Sequence, residues 1–184
     1  MNDTPERVTI RRATLADAQA IADIYNEAIL TTTATFDTET KTMSERARWL
    51  ETHGERHPVF VAEVSGRVVG WASLSSWSDR CAYADTAETS LYVHSTHQRR
   101  GIGRQLYDEI FAEARRLGFH TLIARIAEES AGSLRLHERA GFTHVGTLRE
   151  VGRKFGRLLG VHILQKMLKE PDAAPLHAHG DTAV

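Results

Sequence analysis

The chain reads as a single α/β domain built on a mixed sheet, and three observations carry that reading. Short β-type runs alternate with amphipathic helical segments along most of the length. Two of the runs, at 58–64 and 67–74, meet at Ser65-Gly66, a hairpin signature that builds in an antiparallel pair. No internal repeat or second domain boundary divides the 184 residues, a length that can bury one sizeable core.

The elements follow in order. Val8–Arg12 (VTIRR) is a short strand. Thr14 or Asp17 can cap the next helix, whose Ile21, Ile24, Tyr25, Ala28 and Ile29 keep a helical period. The threonine-rich stretch 31–42 is polar and irregular. A second helix is expected from Ser44, as its N-cap, to about His53, with Ala47 and Leu50 on one side. After the hairpin and an irregular stretch at 75–85 comes a strand near Thr86–Val93, then a polar loop and a long helix from about Gly101. Ile102, Leu106, Ile110 and Ala114 recur on it at four-residue spacing, and Gly118 stops it beside Arg115 and Arg116. A strand at 121–126 and a helix at 130–140, ended by Gly141, come next. Strands at 142–148 and 161–168 close the fold, separated by a loop that Gly152, Gly156 and Gly160 punctuate. The domain is therefore expected over 8–169, with flexible termini at 1–7 and 170–184.

Composition narrows the function. A net charge of −1 offers no bulk attraction to nucleic acid or to an anionic membrane. No apolar run reaches the length of a membrane span, and the first ten residues lack the pattern of a secretory signal. Cys81 is the lone cysteine, so no intrachain disulfide forms and the cytoplasm is the simpler setting. The ten histidines include no pair at zinc-site spacing, so no metal is expected.

Cations cluster instead at Gln98-Arg99-Arg100-Gly101-Ile102-Gly103-Arg104, between the strand and the long helix. A helix start exposes unpaired N–H groups and the positive end of the dipole, glycine lets the backbone approach an anion, and Arg99, Arg100 and Arg104 add charge. A phosphate-bearing cofactor is the reading. A P-loop would need Lys and Ser or Thr after Gly103, where Arg104-Gln105 stands. A dinucleotide fingerprint would need glycine at Leu106.

Gln98-x-x-Gly101-x-Gly103 resembles the acyl-coenzyme A loop of the GCN5-related N-acetyltransferases (GNAT). A wider series is similar to the phosphinothricin and methionine sulfoximine branch of that superfamily. It runs through Arg11-Arg12-Ala13-Thr14, Ile24-Tyr25-Asn26, Ala34-Thr35-Phe36, Val61-Ala62-Glu63 and Gly70-Trp71-Ala72. It continues in Arg80-x-x-Tyr83, Glu88-x-Ser90-x-Tyr92-Val93, His97-Gln98-Arg99, Leu136-His137-Glu138 and Gly152-x-Lys154-Phe155-Gly156.

The resemblance implies a mostly antiparallel sheet that splays beside the Thr86–Val93 strand, with acetyl-CoA in the gap. Leu91, Tyr92 and Val93 would then hold pantetheine, and the amides of Arg99, Arg100, Gly101, Ile102, Gly103 and Arg104 the pyrophosphate. Ser130 stands where the family commonly has Asn near the cofactor. Glu88 is implied as the base for an attacking amine. His137 matches a family position and could protonate the leaving thiol, assist the base or bond locally, with Tyr107 and Tyr92 as alternative acids. The acceptor, a small amino-acid-like amine, would meet Ser78, Asp79, Arg80, Tyr83, Glu88, Thr89, Ser90, Lys154 and Phe155. Of these, Lys154 is the one most readily read as plain surface charge. Leu158 and Gly160 depart from the branch, which usually has Trp and Asp there. A homodimer is implied as well.

Overall fold

The computed structural model describes residues 7–168. Apart from Arg7, the expected flexible termini lie outside the described residues. Seven strands form one sheet in the order β1-β2-β3-β4-β5-β7-β6. They are β1 (Val8–Arg12), β2 (Val59–Val64), β3 (Arg67–Ser76), β4 (Thr86–Val93), β5 (Thr121–Ala127), β6 (Thr143–Lys154) and β7 (Arg157–Met167). Every adjacent pair is antiparallel except β4–β5. The helices are α1 (Ala18–Thr31), α2 (Met43–Thr52), α3 (Ile102–Arg116) and α4 (Ala131–Arg139).

Helices cover both faces of the sheet. On one face Ile102, Leu106, Ile110 and Ala114 of α3 are buried against Phe60, Ala62, Ala72, Leu74, Leu122 and Ala124, and Leu134 and Leu136 of α4 pack on the same cluster. On the other face Ile21 and Ile24 of α1 meet Val59, Val61 and Trp71. β2 is thus apolar on both sides, as a strand covered twice must be. The α1 side is less uniform. Leu50 of α2 packs on this cluster as expected, but the most buried residue of the helix is Arg46, 7% exposed. The Arg46 guanidinium is boxed by Tyr25, Trp49 and Trp71, with ring centroids at 4.1, 5.0 and 6.0 Å, so aromatic faces balance its charge.

Helix starts depart from the expected caps in one case. Thr14 and Asp17 act together, the Thr14 amide donating to the Asp17 carboxylate at 2.7 Å and Asp17 closing a short 3-10 turn before α1. The cap of α2 is Thr42, two residues ahead of Ser44. Thr42 and Glu45 exchange bonds, the Thr42 amide donating to Glu45 (2.7 Å) and the Glu45 amide to the Thr42 hydroxyl (3.2 Å). This is a capping box, which Ser44 cannot make because no Glu or Gln follows it three residues later.

The late glycines are the main correction. β6 and β7 are one long hairpin, joined at Phe155-Gly156, whose φ values of 49° and 75° define the two-residue turn with both central residues left-handed. Ser65-Gly66 turns β2 into β3 in the same way (φ 50° and 77°). Gly152 and Gly160 lie inside the strands, where they admit close neighbours: a Cβ at Gly152 would overlap the Phe36 ring, and one at Gly160 the Glu128 carboxylate. Strand interiors with such glycines read as loops because close approach leaves no local signature.

Candidate active site

The parallel join between β4 and β5 lasts three residues, Thr86 to Glu88 against Thr121 to Ile123. Beyond Glu88 the strands diverge, while β4 stays paired with β3 as far as Val93. The His94 amide donates to the Val69 carbonyl (2.9 Å), so by alternation the Tyr92 backbone also faces β3 and that of Leu91 and Val93 faces the gap. The Val93 carbonyl already accepts from the Gln98 side chain at 3.0 Å. β4 thereby presents a free backbone edge that leads into the Arg-Gly loop.

That loop is built to expose amides. Arg99 and Gly101 are left-handed (φ 61° and 80°), and Gly101 caps α3 with open space where a Cβ would stand. The first helical bond runs from Gln105 to the Gly101 carbonyl (3.2 Å), leaving the Ile102, Gly103 and Arg104 amides without intrahelical partners. Gly103 serves packing instead, because a Cβ there would lie 3.1 Å from Leu136 and its absence lets α3 and α4 close on each other. A concave run of amides flanked by arginine suits a pyrophosphate, and an unpaired strand edge suits an amide-bearing arm. The residues present fit the implied coenzyme.

A cleft of about 370 Å³ occupies the gap. Glu88 lies at its closed end, its carboxylate paired with Arg125 of β5 through Nε (2.6 Å) and Nη2 (2.8 Å). The partner of this acid is thus a guanidinium that is itself 57% exposed. Beneath the cleft, buried His137 donates from Nδ1 to the Ser133 carbonyl (2.7 Å) and accepts at Nε2 from the Tyr107 hydroxyl. A carbonyl can only accept, so Nδ1 carries the proton. Burial lowers the His137 pKa, opposed by the Ser133 bond, and pushes the Tyr107 phenol up. The buried Thr89 hydroxyl sits close enough to that phenol to favour its ionised form slightly, yet without the geometry of a hydrogen bond.

The facing wall comes from the threonine-rich stretch. Residues 33–37 line the cleft with Tyr25 and Tyr92. The Tyr25 hydroxyl bonds Thr35 Oγ1 (2.8 Å) and donates to Asp37 (3.1 Å), and Asn26 brackets the Lys41 backbone, its side-chain oxygen accepting from the amide (2.7 Å) and its nitrogen donating to the carbonyl (2.8 Å). Lys154 is 3% exposed and donates Nζ to the Thr35 carbonyl at 2.7 Å, with burial lowering its pKa against the pull of Asp37. It is a buried clamp on this wall, and the surface-charge reading is corrected.

The structure brings Glu88, Thr89, Ser90, Leu91, Tyr92, Ser130 and His137 to one cleft. Ser78, Asp79, Arg80 and Tyr83 lie on an exposed turn before β4, outside its lining, and exposed Phe155 tips the terminal hairpin. Reading the sequence missed Arg125, Ser133 and the 33–37 wall. Arg125 did leave a trace, as the single charge in the apolar run TLIARI. Among the described residues no three His, Cys, Asp or Glu side chains gather as a metal site, and no helix is long and apolar enough to cross a membrane.

A sheet opened beside a left-handed glycine and a helix start defines a cleft for a phosphate-bearing coenzyme, and relatives place it in a family. Residues 10–163 match the acetyltransferase (GNAT) domain, and the chain belongs to that family. It is 41% identical over 170 residues to the L-methionine sulfoximine/L-methionine sulfone acetyltransferase of Salmonella typhimurium, covering 90% of this chain and 99% of that protein. A phosphinothricin N-acetyltransferase of Streptomyces viridochromogenes is also 41% identical over 170 residues (91% and 93% covered). A Salmonella typhimurium acetyltransferase solved with its cofactor acetyl-CoA superposes with a TM-score of 0.86 at 40% identity, covering 93% of this chain and 99% of that one.

Proposed function

We propose that this protein is an acetyl-CoA-dependent N-acetyltransferase whose acceptor is the amino group of a small amino-acid-like molecule of the methionine sulfoximine, methionine sulfone or phosphinothricin type. The observation that carries this reading is the free edge of β4, which joins the amide-rich loop at one end to Glu88 at the other. Acetyl-CoA, when bound, supplies the thioester carbonyl that an amine attacks. Leu91 and Val93 offer it backbone groups, the amides of residues 99–104 receive its phosphates, and Ser130 at the start of α4 offers a hydroxyl. Glu88 takes the proton of the incoming ammonium, without which the nitrogen has no lone pair to attack with. His137 has both ring nitrogens engaged and serves by position, holding the Tyr107 hydroxyl under the cleft. Ser90 and Thr89 border the acceptor end. The turn at 78–83 follows Ser75 and Ser76, which pair with Glu88 and Ala87, and so flanks that end, and Phe155 at the tip of the far hairpin would approach from a second chain.

Such a homodimer is part of the reading. Its support is the set of exposed apolar residues on the β6–β7 hairpin, Val145, Leu148, Val151, Phe155 and Leu158, each about half exposed. A cytoplasmic setting is supported by the unpaired, exposed thiol of Cys81. The test of function is thiol release from acetyl-CoA across amino acids, their sulfone, sulfoximine and phosphinate analogues, and polyamines. Release with the amino-acid analogues is expected. Tight cofactor binding with no release for any amine would make the protein a coenzyme sensor instead. Light scattering at two protein concentrations checks the dimer, and fractionation of the producing cell checks the compartment.

A further inference from the structure

One guanidinium covers the carboxylate at the apex of the cleft. Of the side chains lining it among the described residues, Arg125 alone carries a permanent positive charge. The other cations offered for an anionic acceptor are elsewhere or committed, Arg80 on the turn before β4 and Lys154 on the Thr35 carbonyl. Arg125 meets Glu88 with its Nε/Nη2 edge, so both Nη1 hydrogens lie outside that pair. Glu88 stands at the last joined pair of β4 and β5, opposite Ile123, and Arg125 stands two residues further along β5, paired on its other side with β7, so the ion pair spans the apex of the gap.

We propose that Arg125 is the receptor for the acceptor's carboxylate and that its transfer from Glu88 to that carboxylate uncovers the base. This rests on the acetyl-transfer reading and narrows its acceptor to zwitterions, molecules whose amine and carboxylate share one carbon. The logic is exchange. A zwitterion supplies a carboxylate for Arg125 and an ammonium for Glu88, so two like pairs replace one and no charge is stranded. An ion pair whose cation is largely in water costs little to open, so the exchange is feasible. A polyamine or an amino-acid amide brings no anion, and Glu88 keeps its guanidinium cover. Glu88 then accepts the ammonium proton from nitrogen as the N–H bond breaks, with no other reactant needed.

Methionine sulfone and its carboxamide differ at the group in question and make the test. Binding of each is measured calorimetrically in the presence of coenzyme A, and turnover by thiol release, for the wild type, Arg125→Ala and Arg125→Lys. The wild type should bind the acid at least about tenfold more tightly than the amide, the scale of one charge-assisted pair. Arg125→Ala should erase that ratio by weakening the acid alone, leave acetyl-CoA affinity unchanged, and raise turnover of the amide, whose base is then uncovered. Arg125→Lys should restore part of the ratio. Equal binding of acid and amide by the wild type overturns the proposal, as does a loss in Arg125→Ala that falls on both alike. An acid preference that depends on Arg125 but comes with no thiol release from any amine would sink the transferase reading and leave carboxylate recognition standing.

Discussion

The two walls of the cleft are made in opposite ways. The β4–α3 wall is continuous in sequence, from Glu88 to Arg104, and works through its backbone: a free strand edge, two left-handed residues and a helix start. The facing wall at 33–37 has no regular structure and is held by side chains from α1, β4 and the far hairpin. One wall binds whatever carries amides and phosphates. The other sets the shape offered to an acceptor, and it can change through distant substitutions without disturbing the first.

Four changes probe that division, the largest effect first. Glu88→Gln should cut kcat by about a hundredfold or more while acetyl-CoA affinity stays the same, since general-base assistance is worth that much; paired turnover and calorimetry decide it. Gly152→Ala should press on Phe36 and cost about 1–3 kcal/mol in denaturant titration, raising the acceptor KM and sparing coenzyme binding. Lys154→Met removes the bond to the Thr35 carbonyl and should cost about 1–3 kcal/mol if that carbonyl finds no water. The same split between acceptor KM and coenzyme affinity is expected there. Gly101→Ala should act on the opposite wall, costing about 1–2 kcal/mol for the left-handed backbone and weakening coenzyme with the acceptor KM unchanged. If Gly152→Ala and Gly101→Ala move the same constant, the walls are not separable.

The pH dependence of stability sharpens the floor of the cleft. Burial depresses the His137 pKa below its unfolded value near 6.5. The unfolded chain therefore binds more protons in that window, and stability rises with pH across it. The contribution is whole above about pH 6.5 and is lost as pH falls through the folded pKa. Thermal melts of the wild type should lose stability over that range more steeply than those of His137→Gln, and identical slopes would remove His137 as the titrating group.

What the sequence makes legible follows the same division. The anion loop, the strand before it and the two-residue turn at Ser65-Gly66 are local, so motif and periodicity find them. The capping box at Thr42 is equally local, and only the nearer Ser44 obscures it. Arg125 and Glu88 stand 37 positions apart, and Lys154 and Thr35 are 119 apart. Such pairs exist only once the sheet is assembled, and no spacing encodes them. The buried Arg46 escapes for a related reason, since its charge is balanced by rings from three elements.

The three-residue join between β4 and β5 has a thermal consequence. Among the described residues it is the sole strand ladder between the β1–β4 block and the β5–β7 block. Amides of this ladder, at Ala87 and Ile123, should therefore exchange with deuterium faster than those in the middle of β3. A molecule bridging the gap from Leu91 toward α4 adds a second tie. At a free concentration a hundredfold above its dissociation constant, it would contribute about 2.7 kcal/mol to the folded state. The melting temperature of this protein should therefore report the coenzyme level around it, rising and falling with supply even when no acceptor is present.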